Sequence, residues 1–177
     1  MGMKWIGICG SWRYDLPDLR RDVEREVKNI VRNGHGIVTG GALGVDYLAT
    51  QMLLKVDKTA RNLMIVLPTD LITYIRHYRH RASEGVITDK QAGLLAGQLR
   101  LCKKVRNNSV IEGPKSLTID QKAYFDRNRV VVGLCDELIA FQVNDSAGTQ
   151  NAIEIARAMG KTTKIFKYEV QNNANST

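Results

Sequence analysis

The sequence predicts an α/β fold, a mainly parallel, doubly wound sheet with helices on both faces. Three observations carry this reading. Short apolar runs alternate with longer stretches whose apolar residues recur every three or four positions. That alternation of strand and helix argues for parallel pairing through right-handed crossovers. The 177 residues are 44% hydrophobic and 25% charged, enough for a globular domain with a sizeable core.

Taken in order, "KWIGIC" (residues 4–9) reads as a short buried strand, and "GSWRY" follows as a glycine-started loop. Asp15 can cap a helix with Pro17 in its first turn. Leu16, Leu19, Val23, Val27, Ile30 and Val31 recur at helical spacing until Gly34 ends the helix. "GIVTG" is the second strand, and Val45, Leu48, Ala49, Met52, Leu53 and Val56 form the face of a second helix. "NLMIVL" is the third strand. A helix with Leu71, Tyr74, Ile75 and Tyr78 on one face comes next. Thr88 and Gln91 then make a capping box for "DKQAGLLAGQLRLCKKV". "SVIEGP" suggests a short strand, residues 120–134 a helix and "ELIAFQV" a buried strand. A helix starting after Gly148 and stopping at Gly160 leads to the last strand, "TKIFKY". We expect one domain over residues 1–168 and a disordered tail over 169–177, whose "QNNANST" has no apolar content.

Charge is uneven. The net charge is +8, and residues 76–115 hold nine Lys or Arg against Glu84, Asp89 and Glu112. This basic, helix-rich middle is either a solvated surface or a face for phosphate-bearing partners, of which nucleic acid is the commonest. No apolar run approaches a membrane span, and no secretion signal is evident. Cys9, Cys102 and Cys135 are few, odd in number and widely spaced, as in a cytoplasmic protein with reduced thiols, and we expect no metal site.

In an open parallel sheet, ligands bind outside the C-terminal ends of the strands. The loops expected there are "CGSWR", "TGGALGVD", "PTD" and "NDSAGT". Gly40, Gly41 and Gly44 either cradle a phosphate with backbone N–H groups or allow close strand–helix packing. Asp46 anchors that loop or accepts a ribose hydroxyl, or simply suits its helix's first turn. Gly10, Ser11, Arg13, Gly148 and Thr149 converge on the same edge, as do Arg127, Asn128 and Arg129. Each has a plain structural alternative as a turn, a helix start or a surface charge.

"FDRNRVVVGLCDELIAF" resembles the signature of the DNA-processing protein A (DprA, also Smf) family, with its Asn-Arg pair before an apolar helix. "GGALGVDYLAT", "CGSWR" and "SAGTQNAIEIARAMGK" resemble that family's other loops, in the same order. The wider group is the SLOG superfamily of Rossmann-like folds, which also holds the "lonely guy" (LOG) phosphoribohydrolases. The DprA resemblance implies single-stranded DNA binding without bond-breaking chemistry, a recombinase partner and a homodimer. It implies no cofactor beyond a bound nucleotide or phosphate. The SLOG resemblance also implies a nucleotide or nucleotide-signal sensor. The LOG resemblance implies cleavage of nucleoside monophosphates, but Ala152 stands where those enzymes carry their Glu, and Glu154 lies about 200° round the helix.

Overall fold

The computed structural model of the protein describes residues 2–116 and 118–171. Six parallel strands form one sheet: β1 (Trp5–Gly10), β2 (Gly36–Thr39), β3 (Leu63–Val66), β4 (Val110–Ile111), β5 (Glu137–Val143) and β6 (Thr162–Tyr168). The helices are α1 (Pro17–Arg32), α2 (Val45–Val56), α3 (Leu71–Ser83), α4 (Asp89–Val105), α5 (Gln121–Leu134) and α6 (Ala147–Ala158). The strand order is β4-β3-β2-β1-β5-β6. The chain therefore builds outward from β1 to β4. It then crosses back through α5 and restarts at β5 on the other side of β1. The crevice between β1 and β5 is the topological switch point, where such sheets hold ligands.

Strand residues alternate between the two faces. Ile37, Ile65 and Phe141 share a core with Leu19, Val23, Leu48, Leu53 and Leu99 from α1, α2 and α4. Their strand neighbours Val38, Val66 and Leu138 pack instead with Val131, Val132 and Ala152 from α5 and α6. Thus α1, α2 and α4 cover one face, with α3 against α4, and α5 and α6 lie together on the other. α5 crosses β1, β2 and β3, which carries its inner face over the switch point.

Four expectations change at element ends. Asp15 does not cap α1; it pairs with Arg20 at 2.7 Å, and Leu16 holds the cap position without a side-chain bond. With Pro17 as the first helical residue, Asp15 lies one position too early to cap. Val56 leaves the apolar face of α2 and is exposed, because the helix ends there. α6 begins at Ala147, so Gly148 lies inside its first turn. Residues 169–171 are not a free tail: Val170 N–H donates to Asn144 Oδ1 at 2.9 Å, and Asn144 Nδ2 donates to the Val170 carbonyl at 3.3 Å. The rest of the expected disordered tail lies outside the described residues. The Thr88–Gln91 capping box forms as the sequence predicts.

Candidate functional site

A cavity of about 710 Å³ opens at the switch point, between the ends of β1, β2 and β5 and the inner face of α5. Gly10, Ser11, Arg13, Gly40, Asp46, Arg127, Asn128, Gly148 and Thr149 all line it. Gly41, Gly44 and Arg129 do not.

The glycines divide by what their missing side chains make room for. At Gly40 a Cβ would fall on the Arg127 guanidinium, so this glycine admits the arginine. Gly41, at φ +64°, has its absent Cβ directed into the core, 2.6 Å from Ile65 and 2.8 Å from Leu67. Gly44, at φ +70°, lies against backbone: a Cβ there would sit 2.3 Å from the Ser11 carbonyl oxygen. Val45 N–H donates to that same carbonyl at 3.2 Å, so the β1 and β2 loops touch main chain to main chain. The glycine run therefore shapes the crevice wall. Gly41 and Gly44 do not line the cavity, and the room left by their missing side chains goes to the core and to the β1 loop, the close-packing alternative of the two that the sequence offers.

Asp46 and Arg127 form the floor. Both are buried, at 5% and 9% exposure. Asp46 Oδ2 accepts from Ala42 N–H at 3.2 Å and lies 3.8 Å from Arg127 Nη1. Asp46 thus ties down its own loop. Arg127 Nη1 also donates to the Gly40 carbonyl, and its guanidinium stacks 5.6 Å from the centre of the Tyr124 ring. Burial pushes the Asp46 carboxyl up from its ordinary value, while Arg127 and the Ala42 N–H act against that shift. Asp46 Oδ1 and Arg127 Nε have no protein hydrogen-bond partner among the described residues.

Across the crevice, Asn128 Nδ2 donates to the Gly148 carbonyl and to Asn151 Oδ1, each at 3.1 Å. Asn128 therefore fixes α5 to the first turn of α6. First-turn amides of a helix lack intrahelical acceptors and carry partial positive charge. Gly148 and Thr149 bring that turn to the cavity wall, where a Cβ on Gly148 would meet nothing within 4 Å. Arg13 stands exposed at the mouth, 4.8 Å over the Trp12 ring. Arg129 departs from expectation: two residues beyond Arg127 on a helix, it is turned to solvent.

Sequence reasoning missed an aromatic wall. Trp12, Tyr14, Tyr78, Tyr124 and Phe125 line the cavity with His77 and Arg81. Tyr124 lies three residues before Arg127 and so shares its helix face, a signal present in the sequence. His77 Nε2 and Tyr124 Oη are 3.1 Å apart. Burial and then Arg81 hold the His77 ring below its usual range. A second depression, of about 410 Å³, adjoins the first and shares Trp12, Arg13 and Ile87 with it.

The sequence model of the DNA recombination-mediator protein A family matches residues 2–177. The chain belongs to that family. Among solved structures, DNA processing protein A from Helicobacter pylori, described for its single-stranded DNA binding mode, superposes with a TM-score of 0.66 at 20% identity. The match covers 98% of this chain and 68% of that one. DprA from Streptococcus pneumoniae matches with a TM-score of 0.63 at 19% identity, over 97% of this chain and 52% of its own. A molybdenum cofactor binding protein from Rippkaea orientalis shares the fold, with a TM-score of 0.58 at 18% identity over 94% of this chain and 78% of that chain. A comparison with curated proteins found no match. This family member thus spans 68% and about half of the two DprA chains.

In the same crevice, Ala152 is a buried methyl on the wall. Glu154 is exposed, accepts from Gln150 Nε2 at 2.9 Å and does not line the cavity. Asp145 lines the mouth and is exposed.

Proposed function

We propose that the protein is a non-catalytic, phosphate-recognising binder of single-stranded DNA that serves DNA recombination in the cytoplasm. The observation that carries this reading, beside family membership, is that the two cavities adjoin, with Trp12, Arg13 and Ile87 on the wall of both. Two adjoining depressions offer successive nucleotides of a strand separate places to sit. Arg13, Arg127 and the first turn of α6 supply positive charge for phosphates, and Trp12, Tyr14 and Tyr124 supply stacking surfaces. Base–aromatic stacking contributes roughly 1–3 kcal/mol per base and tolerates any sequence.

A second reading, a nucleotide or nucleotide-signal binder, is favoured by the larger cavity alone. Its volume of about 710 Å³ lies within the small-molecule range. Salt dependence separates the two. With about three phosphates engaged, log K for an oligo-dT strand should fall with log salt at a slope of roughly −2. Absent oligonucleotide binding beside tight AMP binding would establish the second reading. The same samples should release no free base from AMP. The Ala152 methyl cannot take a proton or support an oxocarbenium-like sugar, and Asp46 is engaged by Arg127 and Ala42. Base release that disappears in Asp145→Asn or Asp46→Asn would overturn the non-catalytic reading and identify the acid.

A recombinase partner and a homodimer complete the proposal. Light scattering at working concentration should give the mass of two chains; a monomer would count against the dimer.

A further inference from the structure

α4 carries apolar residues on both of its faces. Ala92, Leu95, Ala96, Leu99 and Cys102 are buried against α2 and α3. At about 100° per residue, Leu94, Gly97 and Leu101 stand on the opposite pole, and Val105 continues their line. Leu94, Leu101 and Val105 are 50%, 51% and 43% exposed. A Cβ at Gly93, just before Leu94, or at Gly97, between the two leucines, would meet nothing within 4 Å, so the backbone is bare at both places. Lys90 stands at the N-terminal end of this ridge and Lys104 and Arg100 run along one flank of it, all exposed, and none takes part in an ion pair among the described residues. The helix has one acid, Asp89, in its first turn.

We propose that the outer face of α4 docks an acidic amphipathic helix of a protein partner. The leucines and Val105 give its apolar stripe a ridge to pack on, with room for side chains over Gly93 and Gly97. Lys104 and Arg100 meet carboxylates along one flank of that helix, and Lys90 meets one at its end. Charge decides the occupant. A second copy related by a two-fold axis would set the same cations against each other, a costly like-charge juxtaposition. A nucleic acid strand would gain the cations but would find no aromatic stacking surface anywhere on α4, whose sequence is DKQAGLLAGQLRLCKKV. α4 reaches the crevice region only through Gln91, on the wall of the smaller depression, so a docked helix leaves the larger cavity open.

The test uses the full chain and a labelled 17-residue helical peptide with leucines at i, i+4 and i+7 and Asp or Glu along one flank. Anisotropy should show saturable binding. Leu94→Asp with Leu101→Asp should weaken it at least tenfold, and so should Lys90→Glu with Lys104→Glu. A peptide with Gln in place of its acids should lose a similar factor. The leucine variants should keep their helical circular dichroism, their mass by light scattering and their oligo-dT affinity. Leu101→Ser repeats the measurement if the aspartates disturb folding. Failure of the acidic peptide to bind, or equal binding by the variants, overturns the proposal. A change of mass in the leucine variants would make the face a contact between copies, and a fall in their oligo-dT affinity would make it part of the nucleic-acid surface. Either result also overturns it. The outcome is independent of whether the crevice binds DNA.

Discussion

Gly41→Val should lower the melting temperature by about 6–12 °C and abolish ligand binding only by unfolding the protein. The new side chain meets Ile65 and Leu67 at core distances from a backbone at φ +64°. Overpacking costs about 1–3 kcal/mol. A β-branched residue in the left-handed region adds roughly 1–2 kcal/mol. Together they reach about 3 kcal/mol, and a chain of this length loses about 2–4 °C per kcal/mol. Gly40→Ala is the comparison. Its Cβ displaces the Arg127 guanidinium, the movable end of a long side chain, so the fold should survive while binding weakens. Thermal melts of both variants beside oligonucleotide titration check the pair. A stable, non-binding Gly41→Val protein would return that glycine to the ligand surface.

Arg127→Ala should weaken ligand binding at least tenfold, about 1.4 kcal/mol, as expected for lost hydrogen bonds to a charged group. It should also destabilise the fold by about 3 kcal/mol at neutral pH, because it strands a buried carboxylate. The pH dependence has a definite sign. Burial already raises the Asp46 carboxyl above its unfolded value, and Arg127 opposes that shift. Without the arginine the carboxyl rises further. A group raised in the folded state favours folding at pH below its unfolded value and loses that advantage as pH rises through the folded one. The variant's deficit should therefore shrink as pH falls through the raised Asp46 value. Asp46→Asn in the Arg127→Ala background should remove most of this dependence. Arg129→Ala, a change to an exposed residue, should stay within about 0.5 kcal/mol in stability and leave binding unchanged. Denaturation curves from acid to neutral pH test both statements; a pH-independent Arg127→Ala deficit would show that Asp46 is not the stranded charge.

The strands and helices were legible in the sequence because their periods differ, and every strand expected from apolar runs is present. The crevice was legible too, since the loops following β1, β2 and β5 converge there. What the sequence hid was direction. "GGALG" states that side chains are excluded at three positions, but it cannot say whether an arginine, the core or another loop's backbone does the excluding. Arg127 and Arg129 look equivalent in "FDRNR", yet two residues on a helix turn about 200°, so only one can face the sheet. The aromatic wall was hidden differently. Tyr78 was read as core, correctly, and its edge also reaches the cavity. Asp15 and Val56 failed at element ends, where a one-residue shift decides between cap and loop.

The strand order has a consequence for how the binding crevice comes into being. Its two lips are β1 and β5, which more than a hundred and twenty residues of chain separate. Trp5 N–H donates to Asp136 Oδ2 at 2.7 Å across a separation of 131 residues. Closing a loop of that length costs on the order of 4 kcal/mol in chain entropy. During synthesis, β1 to β4 can pair outward first, through local crossovers, while one edge of β1 waits open. Only after β5 seats beside β1 does α6 follow and give Asn128 the Gly148 carbonyl it grips. Ligand affinity is therefore a reporter of the last long-range pairing to form, and an interrupted chain ending before β5 would carry the Asp46–Arg127 floor but lack the β5 lip and the first turn of α6.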